Sequence, residues 1–357
     1  MARNTLARID VAAVGHNLAR VRALAPNSRV MAVVKADAYG HRLDLCLPAL
    51  AGADMLAVAT LEEARAIRRL GCELPVILLE GLIRDGDLSV AADLGLELTI
   101  HHPAQVVALQ NFGKAPTPRL WLKLDSGMHR LGMDAVSGRE AHRCLLALPG
   151  AEQVNLVTHF ASADAVDSST TCDQMARFRE VTAGLSGELC LANSAAILGH
   201  PESHGDWVRA GILLYGISPY PDRTGESLGL KPVMTLTTEL IAINDVPAGE
   251  RIGYGGRFTA PSDMRIGVAG IGYGDGYPRS LVDGTPVRVG EHECKLVGRV
   301  SMDMITIDLA GAPEAGIGDR VILWGRGLPV ERIAGHADTI AYELVCRITR
   351  RVRYRAF

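Results

Sequence analysis

Short runs of consecutive apolar residues alternate with helical stretches over the first two-thirds of the chain. These runs are continuous rather than alternating, as expected for parallel strands that are covered on both faces. Their spacing of roughly 20 to 35 residues fits βα units. Eight such runs are present, at residues 29–35, 55–60, 76–81, 97–101, 119–125, 155–160, 189–194 and 207–216. The pattern predicts an α/β fold, a (β/α)8 barrel over about residues 8–230.

Helix signals lie between the apolar runs. The segment TLEEARAIRRLG places Thr60 as the N-cap, Glu63 as its capping-box partner and Gly71 as the C-terminal stop. Two further helices are predicted over 102–112 and 173–184. Helices between consecutive strands are what the barrel requires.

The pattern changes near Lys231, where helical periodicity fades and Gly, Pro and Asp turns separate the apolar runs. This change predicts two domains, a barrel over 1–232 and a mainly-β domain over 233–357. The N-terminal strand is assigned to the barrel, with membership of the second domain as the alternative. Strands are predicted over 234–243, 264–273, 285–290, 294–309 and 319–325, and a helix over 340–348.

Composition narrows the classes of protein that fit. Of 357 residues, 48% are hydrophobic and 22% charged, which is typical of a globular protein. The net charge of −3 without a basic block argues against nucleic acid or an anionic membrane as a partner. No signal-peptide pattern or run of about 18 apolar residues is found. The seven cysteines are scattered without a CxxC pair, which predicts buried, reduced thiols of a cytoplasmic protein, with no disulfide and no metal site.

Several polar residues stand at or near the carboxyl ends of the predicted barrel strands, where the active sites of such barrels lie. Each also has an ordinary structural interpretation. A lysine at a strand end can extend its amine to solvent, a lone histidine can be a satisfied core residue, a serine can cap a helix and an arginine can form an ion pair. The set comprises Lys35, Lys123, Asp125, His159, Ser194 and Arg209.

Pyridoxal phosphate is a cofactor that this set would suit. A phosphate requires several N–H and O–H donors, and a lysine such as Lys35 can hold the cofactor as a Schiff base. The pyridine nitrogen usually meets an acidic residue, but the candidate here is Arg209, whose guanidinium cannot accept a proton. The phosphate donors available are Tyr39, Asn193, Ser194, Gly211, Ile212 and Tyr342.

Racemisation requires a proton carrier on each face of the substrate Cα. Lys35 is one candidate, and Tyr254, within the distant segment RIGYGGRF, is the other. The ordinary pKa of tyrosine is about 10, so Tyr254 needs positive charge nearby, through His159 and Arg209, to act near neutral pH. The alternative is that Tyr254 is only a turn residue in a glycine-rich loop.

Nine segments of the chain form an ordered set of motifs. They are AVVKADAYGH (32–41), LKLDSGMHRLG (122–132), THFASAD (158–164), ANSAA (192–196), VRAGILLYG (208–216), IGYGGRF (252–258), GYGDGYPR (272–279), GRVSMDM (298–304) and IAYELVCRI (340–348). In these segments the chain resembles the fold-type III alanine racemases over nearly its whole length. The resemblance implies a pyridoxal phosphate enzyme that interconverts L- and D-alanine, with D-alanine destined for peptidoglycan or for breakdown. It also implies a homodimer whose active sites are completed by the partner's C-terminal domain.

The resemblance further implies a role for each matching residue. Lys35 would hold the cofactor and act on the D-enantiomer, and Tyr254 of the partner subunit would act on the L-enantiomer. Arg209 would face the pyridine nitrogen and His159 would lie against the ring. Phosphate would be bound by Tyr39, Ser194, Gly211, Ile212 and Tyr342.

On the substrate side, the resemblance implies that Arg130 and the backbone of Met302 bind the carboxylate. Lys123 matches a lysine that is often N-carboxylated in this family, and such a carbamate would orient Arg130. Tyr273 and Asp303 would lie near the substrate entry.

The chain departs from the family pattern just after the lysine motif. The family continues AYGH with glycine, whereas this chain has Arg42, followed by Pro48 six residues later. These two residues bring the geometry of the first helix into question but not the chemistry of Lys35.

Three other functions remain open from the sequence. A basic amino-acid decarboxylase shares the barrel but matches IGYGGRF and SMDM less well. A racemase of broader specificity, acting on serine or lysine, would differ only in a few side chains near Tyr273 and Met302. A non-catalytic carrier of pyridoxal phosphate would need no Tyr254.

Overall fold

The computed structural model describes residues 4–82, 84–115, 117, 119–165 and 168–357. The strands run, in chain order, β1 (Leu6–Ile9), β2 (Arg29–Val33), β3 (Met55–Val58), β4 (Val76–Leu78), β5 (Leu96–Ile100), β6 (Arg119–Lys123), β7 (Gln153–Val157), β8 (Leu189–Cys190), β9 (Trp207–Ala210), β10 (Met234–Val246), β11 (Arg251–Ile252), β12 (Phe258–Thr259), β13 (Met264–Ala269), β14 (Pro286–Val289), β15 (His292–Val297), β16 (Ile305–Asp308), β17 (Arg320–Trp324) and β18 (Arg353–Ala356).

The helical segments are α1 (Val11–Leu24), α2 (Lys35–Tyr39), α3 (Leu43–Cys46), α4 (Leu61–Arg69), α5 (Asp85–Asp93), α6 (Pro103–Phe112), α7 (Ala135–Leu146), α8 (Thr170–Thr182), α9 (Ser194–Gly199), α10 (Val330–His336) and α11 (Ala341–Cys346). Short 3-10 helices occur at Leu47–Leu50, Pro201–Ser203, Ile212–Tyr215, Glu226–Leu228, Tyr254–Gly256 and Tyr273–Asp275. Among the described residues no helix is long and apolar enough to cross a membrane.

The chain forms two compact units. One comprises Gly15–Ala38 and Cys46–Leu214, and the other comprises Met1–Val14, Tyr39–Leu45 and Tyr215–Phe357. The first unit holds a closed parallel barrel of β2 to β9 in sequence order. It closes where β9 pairs with β2, from Arg29 opposite Trp207 onwards.

The predicted barrel is confirmed, and a strand lies within or overlaps each of the eight apolar runs. Most strands end before their apolar run does, because the remaining residues leave the sheet as the loops that carry polar side chains. The barrel strands themselves span residues 29–210, and the predicted extent of the whole barrel domain, about 8–230, stays a prediction. Strand β1 instead pairs with β10 and β18, and its alternating burial suits a sheet with one covered face.

The helix signals of α4 are realised as predicted. The Thr60 hydroxyl accepts a hydrogen bond from the Glu63 amide at 3.2 Å, and the Glu63 carboxylate accepts one from the Thr60 amide at 3.3 Å. Gly71 follows the C-cap with φ of 76°, a left-handed conformation that glycine adopts at little cost. The predicted helix over 173–184 begins earlier, at Thr170.

The second unit holds an eight-stranded sheet in the order β13-β16-β15-β14-β17-β10-β1-β18, and β11 and β12 form a separate hairpin. The predicted strand over 294–309 is two antiparallel strands, β15 and β16, because residues 298–304 leave the sheet as a loop. Neither helix α10 nor strand β18, at Arg353–Ala356, was predicted.

Two sequence features have structural outcomes that differ from expectation. None of the cysteines that the structure describes forms a disulfide, but Cys172 and Cys346 are exposed rather than buried, and Cys72 and Cys144 are partly exposed. After the lysine motif, α3 is only one turn long and a 3-10 helix containing Pro48 follows it. Proline lacks the N–H that would continue an α-helix, which accounts for the change. Arg42 has φ of 70° and pairs with Asp44 at 3.1 Å.

Candidate active site

The chain leaves β2 at Lys35 and enters a left-handed turn. Ala36, Asp37 and Ala38 have φ of 54°, 54° and 57°, and the Ala38 amide donates to the Val34 carbonyl at 2.9 Å. Left-handed helix costs an L-residue about 1–2 kcal/mol. The turn therefore holds Lys35 at the strand end at the expense of stability, as strained backbone at functional sites often does.

The Glu63 carboxylate stabilises this left-handed turn by accepting a hydrogen bond from its backbone. Glu63 accepts a hydrogen bond from the Ala36 amide at 2.7 Å through one oxygen, and from the Ala59 amide at 2.8 Å through the other. Glu63 is also the capping-box residue of α4. The same side chain thus orders the start of a barrel helix and the backbone next to Lys35.

Replacing Ala36 with glycine should raise the free energy of unfolding by up to about 1 kcal/mol, because glycine adopts positive φ without the steric cost of a Cβ. The matched control is Ala66→Gly in the right-handed α4, which should lower stability by about 0.5–1 kcal/mol. Chemical denaturation measures both. A loss of stability in both variants of similar size would show that the left-handed turn stores no strain.

Arg209, in β9, is buried and its guanidinium is surrounded by acceptors. It donates to the carbonyl of Cys190 at 2.9 Å, of Thr158 at 2.7 Å and of Leu191 at 3.2 Å. Its Nη2 also lies 3.1 Å from Nδ1 of His159. The guanidinium is therefore held rigidly by the ends of neighbouring barrel strands, and it carries a positive charge into the barrel.

His159 is neutral in this environment. Burial first, and then the positive charges of Arg209, Lys123 and other nearby cations, lower the pKa of His159 to about 2. Because a guanidinium only donates, Nδ1 must accept from Arg209 and the ring proton lies on Nε2. The sequence-based expectation that His159 helps to convey positive charge finds no support here, which leaves Arg209 as the charged member of the pair.

A buried hydrogen-bond network that sequence reasoning missed supports His159. Gln174, from α8, donates to the His159 carbonyl at 3.1 Å and to Ser126 at 3.2 Å. Ser126 in turn lies 2.8 Å from the hydroxyl of Thr158. Thr158 and Ser126 lie inside the motifs THFASAD and LKLDSGMHRLG and were within reach of the sequence. Gln174 lies outside those motifs in an amphipathic helix, where no local signal marks it.

Ser194 and Gly211 form a polar cradle at neighbouring strand ends. The Gly211 amide donates to the Ser194 hydroxyl at 3.0 Å, and Ser194 begins α9 after the N-cap Asn193. Ile212 follows Gly211 as the first residue of a 3-10 helix. An anion here would meet a hydroxyl and backbone N–H groups, which is the kind of surface that phosphate prefers.

Lys123, the last residue of β6, is buried among cations. Burial first, and then the positive charges of Arg209, Arg130 and Lys35, lower the pKa of Lys123 to about 8, while Asp125 opposes them. The structure thus brings Lys35, Lys123, Arg130 and Arg209 into mutual electrostatic range. Such a cluster in one barrel favours an anionic ligand or an anionic modification.

The loop that carries Arg130 is braced from both sides. Asp125 accepts hydrogen bonds from the amides of Gly127 at 2.9 Å and His129 at 3.1 Å, and these bonds lower the pKa of Asp125 despite its burial. The Met133 amide donates to the Lys123 carbonyl at 2.9 Å. Asp125 therefore acts on the loop rather than as an isolated acid.

Tyr39 and Tyr342 lie in the second unit, where they form an aromatic group with Tyr215. The ring centroid of Tyr39 is 5.1 Å from that of Tyr215 and 6.1 Å from that of Tyr342. Burial raises the pKa of Tyr39 to about 12, so its hydroxyl remains a donor at neutral pH. His41 stacks on the other side of Tyr215 at 4.7 Å.

Tyr254 stands at the tip of the β11–β12 hairpin, with 72% of its surface exposed. The glycines around it, Gly253 and Gly255, have φ of 74° and 71°. Arg251 donates to the Gly256 carbonyl at 2.9 Å and so braces the tip. The hairpin therefore presents the Tyr254 ring to solvent in the single chain.

Tyr273, Met302 and Asp303 lie on two interlocked loops of the second unit. The Tyr273 amide donates to the Ser301 carbonyl at 3.0 Å, and Met302 is 52% exposed. Arg351 donates to the Asp303 carboxylate and lies 3.3 Å from the buried Asp275. One guanidinium thus ties both loops together.

Comparison with known proteins now decides the family. The family model described as alanine racemase, N-terminal domain, matches residues 9–219, and that described as alanine racemase, C-terminal domain, matches residues 233–356. The chain belongs to the alanine racemase family. It catalyses the interconversion of L- and D-alanine and is therefore an isomerase. Neither the decarboxylase nor the broader-specificity racemase is favoured by these relatives.

The relatives cover nearly the whole chain. The alanine racemase of Nitrosococcus oceani is 49% identical over 346 residues, covering 96% of this chain and 97% of that one. Among solved structures, the biosynthetic alanine racemase of Pseudomonas aeruginosa is 43% identical with a TM-score of 0.96, covering 99% of each chain. That of Acinetobacter baumannii is 41% identical with a TM-score of 0.95, covering 99% of this chain and 100% of that one. The alanine racemase of Bartonella henselae, whose structure has covalently bound pyridoxal phosphate, is 28% identical with a TM-score of 0.87, covering 99% of each chain.

Proposed function

We propose that this alanine racemase works with pyridoxal 5'-phosphate held on Lys35, and that Lys35 and Tyr254 are its two proton carriers. The observation that carries the proposal is the cluster of Lys35, Lys123, Arg130 and Arg209 around the neutral His159 in the barrel. A ligand with a phosphate and a carboxylate offers the negative charge that these cations require. Pyridoxal phosphate, when bound, supplies an electron-withdrawing ring that makes the Cα proton of the substrate acidic.

The residues present fit this cofactor. Ser194 and the amides of Gly211 and Ile212 provide phosphate donors, and the protonated hydroxyls of Tyr39 and Tyr342 are proposed to add two more. A covalent cofactor in the Bartonella henselae relative supports a lysine link in this chain as well. His159, being neutral and rigidly held, offers a flat uncharged face suited to an aromatic ring.

Arg209 is proposed to face the pyridine nitrogen. A guanidinium does not accept a proton at any working pH, and most of its donors are already fixed by strand carbonyls. In that position Arg209 would favour the unprotonated nitrogen, which would limit side reactions such as transamination.

The proton carriers act from opposite faces of the substrate. Lys35 is proposed to exchange the proton of D-alanine at its Nζ. Tyr254 is proposed to exchange the proton of L-alanine at its hydroxyl. Each carrier removes the proton in one direction and returns it in the other.

We infer a homodimer in which Tyr254 reaches the partner's barrel. In a single chain this tyrosine is 72% exposed, and Met302 is 52% exposed on a loop braced by Arg351. Exposed apolar groups on rigid loops are typical of a protein interface. The proposed division assigns residues 1–232 to cofactor binding and residues 233–357 to completing the partner's site.

Substrate recognition is assigned to Arg130 and the backbone of Met302, which would bind the carboxylate of alanine. Tyr273 and Asp303 would border the entry. We place the enzyme in the cytoplasm, since none of the cysteines that the structure describes forms a disulfide. The test of substrate is an assay of L-to-D conversion with alanine, serine and lysine, with alanine expected to be the best substrate. Equal rates of conversion for lysine and alanine would contradict alanine as the preferred substrate.

Lys123 is proposed to carry an N6-carboxyl group. A pKa of about 8 leaves roughly a tenth of the amine neutral at pH 7, and the neutral amine is the form that reacts with carbon dioxide. The resulting anion would replace a repulsive cation beside Arg130 with an attractive partner. The carboxylated Lys123 would thus orient the Arg130 guanidinium, which is proposed to bind the substrate carboxylate.

Protein equilibrated with 13C-bicarbonate should show one carbamate resonance per chain by NMR near pH 8, lost on acidification. Lys123→Arg should abolish the resonance, whereas Lys295→Arg, at an exposed position, should retain it. If Lys123 were unmodified, the native chain would bind fewer protons than the unfolded chain between about pH 8 and 10.5. The free energy of unfolding would then rise with pH across that window, and the wild type would show no resonance that Lys123→Arg lacks.

A further inference from the structure

Three metal-binding side chains meet on the exterior of the barrel unit. The Cys172 sulfur, one ring nitrogen of His200 and one carboxylate oxygen of Glu202 all lie within 4.8 Å of one another. Among the described residues they are the only such group of three. They contribute to none of the contacts proposed for cofactor or substrate, so the alanine racemase reaction leaves them unexplained.

The backbone holds the histidine and glutamate in place. His200 caps the end of α9, where its amide donates to the Ala196 carbonyl at 2.9 Å. Its own carbonyl accepts from the Ser203 hydroxyl at 2.7 Å, at the end of the 3-10 turn that contains Glu202. The His200 ring is consequently buried and fixed, with Nδ1 lying 3.3 Å from Glu202 Oε1.

Helix α8 brings the thiol to the same place. Arg179, in α8, donates to the Glu202 carbonyl at 3.2 Å and so docks the helix against this turn. Cys172 lies seven residues before Arg179, which places both on one face of the helix. The Arg179 guanidinium binds the backbone carbonyl of Glu202, whereas the Glu202 carboxylate contacts His200, which is itself a proposed ligand.

The geometry points to a zinc site formed by Cys172, His200 and Glu202. Zinc prefers tetrahedral thiolate, imidazole and carboxylate ligands at about 2.0–2.3 Å, which sets ligand-to-ligand distances of about 3.3–3.6 Å. The His200–Glu202 distance of 3.3 Å already fits that range. Cys172 and Glu202 are exposed, so their side chains have the freedom to close the remaining gap.

Binding would clamp α8 to the turn after α9. The Cys172 thiol would release its proton to solvent and coordinate as a thiolate, as metal binding to cysteine requires. With three protein ligands, water would fill the fourth position. Because the folded chain alone assembles these ligands, the metal would stabilise it against unfolding.

The test uses the holoenzyme, stripped with a chelator, dialysed and then titrated with Zn²⁺ against a metallochromic indicator. We expect one zinc per chain and a rise in the melting temperature of about 3 °C at saturation. Cobalt substitution should add visible d–d bands at wavelengths longer than the cofactor absorbance, which identify tetrahedral coordination.

Cys172→Ser and Glu202→Gln should each weaken zinc binding by at least about tenfold and remove the thermal shift, because each loses one ligand. The matched control is Cys144→Ser, which removes a thiol that lies 3.4 Å from Glu140 without a histidine ligand. It should bind zinc as the wild type does. The proposal is overturned if the wild type takes up no more zinc than the Cys172→Ser variant, or if Cys144→Ser removes the binding instead.

Discussion

Alanine racemisation by the Lys35→Ala variant should fall at least about 10⁴-fold, because the variant loses both the covalent anchor of the cofactor and one proton carrier. The visible absorbance of covalently held cofactor should disappear with it. Both losses follow from the position of Lys35 at the end of β2, in electrostatic range of Lys123 and Arg209. Lys123, the other lysine of that cluster, does not adjoin the left-handed turn at residues 36–38 that directly follows Lys35.

The control for this variant is Lys295→Arg, which changes an exposed lysine outside the barrel and should leave rate and absorbance unchanged. Unfolding curves establish that Lys35→Ala remains folded. Cofactor that stays attached to Lys35→Ala after denaturation and dialysis would assign the covalent link to another side chain. Unchanged racemisation would remove Lys35 from the reaction altogether.

Tyr254→Phe should reduce the exchange of the L-alanine Cα proton with solvent by about 10²–10⁴-fold, as expected for the loss of one general base. Proton NMR in deuterated water measures this exchange from each enantiomer separately. Exchange from D-alanine should persist, since Lys35 acts on that face. The change removes one oxygen from a side chain that is 72% exposed in the single chain, so folding should be unaffected.

The covalent cofactor absorbance serves as the internal control for Tyr254→Phe, because the barrel residues that bind the cofactor are untouched. Equal loss of exchange from both enantiomers would indicate a disturbed site rather than a missing base. Normal exchange from L-alanine would contradict the two-base proposal. The alanine racemase activity itself would be unaffected by that result, and a group other than Tyr254 would then exchange the proton of L-alanine.

Local pattern in the sequence was sufficient for the barrel and for much of its chemistry. Continuous apolar runs mark buried parallel strands because both faces are covered, and the capping box at Thr60 and Glu63 is encoded within four residues. Polar residues that directly follow an apolar run can be recognised in the sequence. Because the carboxyl ends of parallel barrel strands lie at one rim, these residues are expected to lie close together. The sequence identified Lys35, Lys123 and His159 as candidate site residues in this way.

The sequence could not decide features that depend on distant partners. Strand β1 was assigned to the barrel with the second domain as the alternative, and its pairing with β10 and β18 shows that the alternative is the arrangement adopted. The run over 294–309 reads as one strand, but the loop at 298–304 separates two. Gln174 supports His159 across a helix–strand contact that has no local signal.

The sequence alone determined the number of barrel strands and the N-cap at Thr60, because each depends on neighbours along the chain. The tertiary structure decided the charge states and the grouping of distant residues. His159 is neutral and Lys123 has a lowered pKa because burial and converging cations act through space. In the same way, Cys172 joins His200 and Glu202 only because α8 docks against the end of α9.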